Sequence, residues 1–89
     1  MKNRRTQYEI FWEILQFCKT PKTITAIINH CNLNSKIIQN YLGFLSKKQY
    51  IVQIKEDEKI FYQTTEKSEE YLKLFSKLYL KLFEKDLVK

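Results

Sequence analysis

Apolar residues recur at spacings of three and four through the first half of the chain, which predicts three amphipathic helices. The first helix is expected within residues 4–18. The only proline, Pro21, then interrupts the helical pattern, and Thr23 can cap the second helix. Either Asn34 or Ser35 can cap the third helix. The predicted buried stripes are Tyr8, Phe11, Ile14, Leu15 and Cys18; Ile24, Ile27, Ile28 and Cys31; and Ile37, Ile38, Tyr41, Leu42 and Leu45.

The third helix, over about 34–47, has a polar outer face. Two short helices, a tight turn and a third helix with a solvent-facing polar side predict a helix-turn-helix. Gly43 lies within this third helix, where glycine costs ~1 kcal/mol of helix propensity. It would permit close approach of the helix backbone to nucleic acid or to a partner helix. Trp12 and Phe44 lie at the edges of their stripes and are expected to meet the last helix or a second subunit.

Two runs rich in β-branched and aromatic residues, 50–55 and 59–64, predict a β-hairpin. The charged residues Glu56, Asp57 and Glu58 lie between them and form its expected tip. A hairpin directly after a helix-turn-helix is a wing, which commonly lies along the nucleic-acid backbone. The acidic tip argues against a wing that grips phosphate.

From Thr65 or Glu66 onward the chain has no helix breaker, which predicts one helix of about six turns. Its apolar stripe is wider than one small domain can cover, so we expect its distal half to pack against a second copy in an antiparallel pair. We therefore predict a DNA-binding domain over 1–65 and a dimerisation helix over 66–89. The expected dimer contacts are Tyr71, Phe75, Leu78, Tyr79, Leu82 and Phe83.

The whole chain of 89 residues has a formal net charge of +6. Its positive charge is concentrated in the first 55 residues. Residues 1–55 carry nine Lys or Arg against two acids, Glu9 and Glu13. Such a segment suggests a polyanionic partner, with a merely solubilising surface as the alternative. No run approaches the ~18 apolar residues of a membrane span, and no signal peptide is evident. We therefore expect a cytoplasmic, nucleoid-associated protein.

The residue types that carry catalysis or bind metals are sparse. Cys18 and Cys31 lack the CxxC spacing of a zinc site, and His30 is the only other soft ligand nearby. Both cysteines lie on apolar stripes, which favours buried free thiols, with a disulfide as the alternative. No carboxylate pair, nucleophile–base pair or glycine-rich loop is evident. We predict no enzyme activity, no cofactor and no metal, and assign His30 no role.

Three stretches carry a resemblance to a known family: EIFWEILQFCK, ITAIINHCNLNSKIIQNYLGFLSKKQYI and IFYQTTEKSEEYLKLF. Within them, NYLGFLSKKQYI places Tyr41, Leu42, Leu45 and Ile51 in a signature shared by many winged-helix regulators. Together they resemble the archaeal winged-helix family of small, ten-kilodalton DNA-binding proteins and regulators. The resemblance implies a mainly α fold with a small hairpin, dimerisation through an antiparallel coiled coil of the last helix, and binding to double-stranded DNA.

The sequence departs from this family at two glycine positions. Gln49 stands where a glycine usually precedes the second strand of the family, and Ser68 stands where a glycine usually follows the Thr-Glu-Lys of the last strand. If either position has a positive φ, a non-glycine residue costs about 1 kcal/mol. The acidic hairpin tip is a third departure.

The candidate DNA contacts are polar or basic residues of the third helix, the hairpin and the N-terminus. Asn and Gln side chains suit adenine edges, and Lys reaches guanine or phosphate. An ordinary solvated helix face and a frayed N-terminus are the alternatives. The predicted DNA-binding residues are Ser35, Lys36, Gln39, Asn40, Lys47, Lys48, Lys55, Arg4 and Arg5.

These features predict a homodimer that binds double-stranded DNA and acts as a transcriptional regulator, with the third helix in the major groove. An architectural chromatin protein with little sequence preference is one alternative, although its hairpin would be expected to be more basic. A protein-interaction module built on the same scaffold is the other.

Overall fold

The structure, a computed structural model, describes the backbone of residues 5–88 and the side chains of residues 5–79 and 81. Over that range it contains four α-helices and one antiparallel hairpin, which confirms the predicted mainly helical fold. The elements are α1 (Gln7–Phe17), α2 (Ile24–Cys31), α3 (Ser35–Lys47), β1 (Ile51–Glu56), β2 (Lys59–Thr64) and α4 (Glu69–Val88), with a 3₁₀ turn at Glu66–Ser68 before α4.

A capping box sets the start of α1. The Thr6 hydroxyl accepts from the Glu9 backbone N–H at 3.1 Å, and the Glu9 carboxylate accepts from the Thr6 N–H at 2.7 Å. These two bonds satisfy backbone donors that have no partner within the helix. The helix therefore begins at Gln7, later than the residue 4 boundary that the apolar pattern predicted.

The apolar stripe of α1 differs from the prediction at its N-terminal end. Tyr8 was expected in the core but is 57% exposed, and Ile10 is buried instead. Tyr8 lies in the first turn, beyond the end of the core, where its backbone carbonyl accepts from the Tyr71 hydroxyl at 2.7 Å. Helical spacing predicted the face of α1 correctly but not how far along the helix the core extends.

The helices α2 and α3 begin directly after their predicted N-caps. The Thr23 side chain accepts from the Ala26 N–H, and the Asn34 side chain accepts from the Ile37 N–H at 2.9 Å. Asn32 ends α2 in the left-handed conformation, which asparagine tolerates better than most residues. A short turn, from Asn32 to Asn34, therefore separates the two helices.

The hairpin closes through a tight two-residue turn. Glu56 pairs with Lys59 as the last rung of the ladder, so Glu56 belongs to β1 and not to the tip as predicted. Asp57 and Glu58 form the turn with φ values of 50° and 65°. Positive φ at both central residues is the geometry that matches the twist of the flanking strands.

The hairpin is anchored to the segment between α1 and α2. Lys22 and Tyr62 exchange two backbone hydrogen bonds, of 2.7 and 3.0 Å. Farther along β2, the Thr64 N–H donates to the Cys18 carbonyl at 2.9 Å, and its hydroxyl donates to the Leu15 carbonyl at 2.6 Å. These bonds fix β2 against the helical body.

The two positions where this chain lacks the family's glycine, Gln49 and Ser68, have different backbone conformations. Gln49 has a positive φ of 65°, so a non-glycine residue occupies a backbone that favours glycine. Ser68 has no positive φ; it is buried in the 3₁₀ turn, and its hydroxyl donates to the Thr65 carbonyl at 2.8 Å. Because that turn intervenes, α4 begins at Glu69 and not at the predicted Thr65 or Glu66.

The first turns of α4 pack on α1. Leu72 is buried in the common core, and the Trp12 indole N–H donates to the Ser76 hydroxyl at 3.1 Å. The Trp12 ring also stacks with Phe75 and Tyr79 at centroid distances of 5.9 and 6.0 Å, which confirms that Trp12 meets the last helix. The buried core of the described residues is Ile10, Phe11, Ile14, Leu15, Cys18, Ile27, Cys31, Ile38, Leu42, Leu45, Ile51 and Leu72.

Candidate nucleic-acid interface

The polar face of α3 is exposed because its apolar stripe is buried. Ile38, Leu42 and Leu45 all lie in the core, which fixes the rotation of α3 about its axis. The Gln39 amide donates to the Ser35 hydroxyl at 3.1 Å, one turn earlier on the same face. The structure brings four predicted site residues together in the first turns of α3, all of them exposed; we call this set the α3 face: Ser35, Lys36, Gln39 and Asn40.

Three predicted lysines lie farther from the α3 N-terminus. Lys47 and Lys48 are exposed at the C-terminal end of α3, and Lys55 is exposed on β1 opposite Ile60. None of the three forms a salt bridge with a described residue. The Lys48 ammonium lies 5.7 Å from the centre of the Phe44 ring, a distance at which a cation–π attraction acts. These ammonium groups therefore have no anionic partner in this part of the chain.

Arg5 lies against the folded domain and not on a free arm. Its guanidinium forms a 2.5 Å ion pair with Glu13 and donates to the Cys31 carbonyl at 2.6 Å. The second bond places positive charge at the C-terminus of α2, where a helix dipole favours it. The Arg5 guanidinium thus has partners within the chain, and its contact with phosphate stays a prediction. The other predicted arginine, Arg4, lies outside the described residues.

An open groove runs between α3 and the hairpin, with a volume of about 340 Å³; we call it the α3–hairpin groove. The hairpin side of this groove contains Gln53 and Tyr62, neither of which was predicted as a site residue. Their side chains approach each other at 3.5 Å, with the amide as donor. They share one face of the hairpin because they are directly paired in the ladder. Alternation along β1 would predict that shared face, but not its proximity to α3.

Half of the predicted dimer contacts touch the chain's own domain. Tyr71 donates its hydroxyl to Tyr8, and the rings of Phe75 and Tyr79 stack on Trp12. Leu78 is 61% exposed. The side chains of the other two predicted contacts, Leu82 and Phe83, lie outside the described residues.

Leu74, which the dimer prediction did not include, is also 61% exposed. Beside the Leu78 side chain an apolar groove of about 380 Å³ extends to Tyr8 at the start of α1. The described half of α4 thus combines residues packed on α1 with leucines that no other described residue buries.

Both cysteines are free thiols in the core, as the favoured interpretation predicted. Burial raises the pKa of Cys18 from its usual 9.0 to about 12 and that of Cys31 to about 11. Protonated thiols are poor nucleophiles and poor metal ligands. Among the described residues, no group of three or more His, Cys, Asp or Glu could hold a metal ion. Within the same range, no helix has both the length and the apolar character required to cross a bilayer.

A family model, described as winged helix-turn-helix, matches residues 4–83. Among solved structures, the DNA-binding protein Sso10a-2 from Sulfolobus solfataricus is similar over 96% of this chain and 98% of its own, with 29% sequence identity and a TM-score of 0.67. No curated protein sequence matches the chain.

Two transcriptional regulators have a similar fold at lower identity. BldR from Sulfolobus solfataricus has a TM-score of 0.81 at 15% identity, covering 91% of this chain and 61% of that one. MepR from Staphylococcus aureus, solved in complex with DNA, has a TM-score of 0.76 at 13% identity, covering 93% and 61%. The chain spans about three fifths of the length of these two regulators, and the likeness to them concerns the fold alone.

Proposed function

Because the chain belongs to the winged helix-turn-helix family, we propose that it binds double-stranded DNA as a homodimer and regulates transcription. In this proposal α3 is the recognition helix and enters the major groove, which is wide enough to admit a helix. The similarity to the DNA-binding protein Sso10a-2 extends over nearly the full length of both chains, and it supports DNA as the partner.

The exposed α3 face is the observation that carries the proposal. Its amide side chains, Gln39 and Asn40, can each make paired hydrogen bonds with an adenine edge, and Lys36 can reach guanine acceptors or phosphate. The buried stripe of α3 holds these side chains on the exposed side of the helix. Lys47 and Lys48 at the helix end, and Lys55 on β1, are proposed phosphate contacts. Arg5 is left out of this set because Glu13 pairs with it.

The hairpin favours a regulator over a packaging protein. Its turn consists of Asp57 and Glu58, and Glu56 adjoins them at the end of β1. Carboxylates repel phosphate and so weaken sequence-independent binding to DNA. An architectural protein depends on that kind of binding. A regulator that gains specificity from α3 tolerates an acidic tip more easily.

We propose that the distal part of α4 pairs two chains, with residues 1–65 as the DNA-binding domain and 66–89 as the dimerisation helix. The exposed Leu74 and Leu78 support this proposal, since two leucines on one helix face are costly to leave in water. If α4 pairs the chains, Leu78→Asp should shift the protein to a monomer in sedimentation equilibrium. Lys73→Asp, a charge change elsewhere on α4, is the control.

Electrophoretic mobility shifts at rising salt test the function. Wild-type protein should retard a short duplex selected from a random pool more strongly than the unselected pool, and the triple variant Lys36→Glu, Gln39→Ala, Asn40→Ala should lose binding. Lys73→Glu makes the same charge change on α4 and should bind nearly as wild type. A steep salt dependence without sequence preference would instead identify an architectural protein.

A protein-interaction module is the second candidate, favoured by the same exposed leucines of α4. In that case the winged helix is a scaffold, and α4 binds a different protein. The triple variant of the α3 face would then leave any residual DNA affinity unchanged, while Leu78→Asp would abolish partner binding. The two proposed functions therefore predict that substitutions on different faces, the α3 face or the exposed leucines of α4, abolish binding.

A further inference from the structure

The α3–hairpin groove has polar side chains on both of its walls. Its polar lining comes from Gln39 and Ser46 on α3 and from Gln53 and Tyr62 on the hairpin, and none of its lining residues carries a charge. Amides and hydroxyls are common partners of the sugar–phosphate backbone in protein–DNA complexes. The groove is therefore polar enough to hold a nucleic-acid strand, but not by charge attraction.

Gly43 lies on the α3 wall of this groove, and nothing within the described chain requires a glycine there. Its φ is not positive, so the backbone does not demand glycine. A Cβ atom built on it would meet no heavy atom within 4 Å, so packing does not demand it either. Glycine lowers the helix propensity of α3 nonetheless. The open space beside Gly43 leaves room for a molecule that approaches the α3 backbone from outside.

The opposite wall of the groove is held to the segment before α2 by backbone hydrogen bonds and carries an available donor. The backbone bridge to Lys22 fixes Tyr62, and its hydroxyl lies 3.5 Å from the donating amide of Gln53. That hydroxyl has one proton of its own to donate, and no described residue accepts it. A phosphate oxygen is an acceptor that could take it.

We propose that the α3–hairpin groove holds a phosphodiester of the duplex backbone, with the Tyr62 hydroxyl donating to a phosphate oxygen and Gly43 allowing the strand to lie against α3. This proposal rests on the proposed function. It adds contacts that position the duplex without neutralising phosphate charge. Such contacts release no counterions, so they contribute to affinity but not to its salt dependence.

Fluorescence anisotropy with labelled DNA tests the groove through Tyr62→Phe and Gly43→Ala. The probes are the duplex most enriched by wild-type protein from a random pool, and the unselected pool itself. We expect both variants to bind both probes more weakly: Tyr62→Phe by roughly ten-fold or more, because its hydroxyl donates to an anionic oxygen, and Gly43→Ala by roughly three- to ten-fold through loss of close contact. The slope of log K against log salt should stay unchanged, whereas Lys47→Gln should reduce it by about 1.

The thermal midpoint of Gly43→Ala shows whether weaker DNA binding comes from a less stable fold. Alanine is the better helix former, so this variant should unfold at a temperature a few degrees higher while binding DNA less tightly. If both variants bind as wild type does, the groove holds no backbone, and the proposed function stands. Weakening confined to the enriched duplex would mean a base contact and would also overturn the inference. Failure of the wild type to bind any duplex would overturn the proposed function itself.

Discussion

Replacing Gln49 by glycine should stabilise the protein. Position 49 has a φ of 65°, where a residue with a Cβ atom costs ~1–2 kcal/mol. Glycine also raises the conformational entropy of the unfolded chain, which lowers the free energy of unfolding by about 0.4–1 kcal/mol. The Gln49 side chain accepts only a long, exposed hydrogen bond from Lys67, at 3.3 Å, so its loss costs little. The difference predicts a gain of ~0.5–1 kcal/mol in the free energy of unfolding, or about 2–8 °C in Tm.

Thermal unfolding followed by circular dichroism measures this gain, and Asn32→Gly is the matched control. Asn32 also has a positive φ, of 58°, but asparagine tolerates this region with little strain. The control should therefore be neutral or slightly destabilising. The strain argument fails if Gln49→Gly leaves Tm unchanged, or if Asn32→Gly raises Tm by as much.

Three further substitutions or conditions test the packing. Asn34→Ala removes the N-cap of α3 and should lower the free energy of unfolding by about 1 kcal/mol in urea titrations, whereas Asn34→Asp should retain most of it. Ser76→Ala leaves the Trp12 N–H without its partner and should cost ~1 kcal/mol in the same assay; no loss would mean that water replaces the bond. The raised pKa values of Cys18 and Cys31 keep both thiols protonated in the folded state while unfolded thiols ionise near 9.0, so stability should fall as pH rises above about 9. A double Cys→Ser variant should show a weaker fall.

Local signals in the sequence predicted much of this fold. Thr23 and Asn34 are capping residues directly before apolar stripes, and both helices begin there. The α3 face followed from the same periodicity, because a buried stripe leaves the opposite side exposed. The predicted hairpin tip was one residue too long, because it included Glu56. The strand pairing of Glu56 depends on the backbone geometry of Asp57 and Glu58, which the sequence pattern does not specify.

Features that depend on contacts distant in sequence were not predictable. Arg5 reaches the end of α2, 26 residues away, and nothing local distinguishes it from an arginine on a free arm. The α3–hairpin groove requires Tyr62 to bridge to Lys22, on the far side of the helix-turn-helix in sequence. Hydrophobic periodicity specifies which side of an element is buried, but not which neighbour lies beside its exposed side.

The contact between α1 and α4 gives the protein an intrinsic optical probe. Trp12 is the only tryptophan in the chain, and its indole is hydrogen-bonded to Ser76 and stacked on two aromatic rings of α4. Detachment of α4 would transfer that indole to water and shift its emission to longer wavelength. Unlabelled protein can therefore report, in real time, whether the last helix stays docked when DNA or a second chain is added.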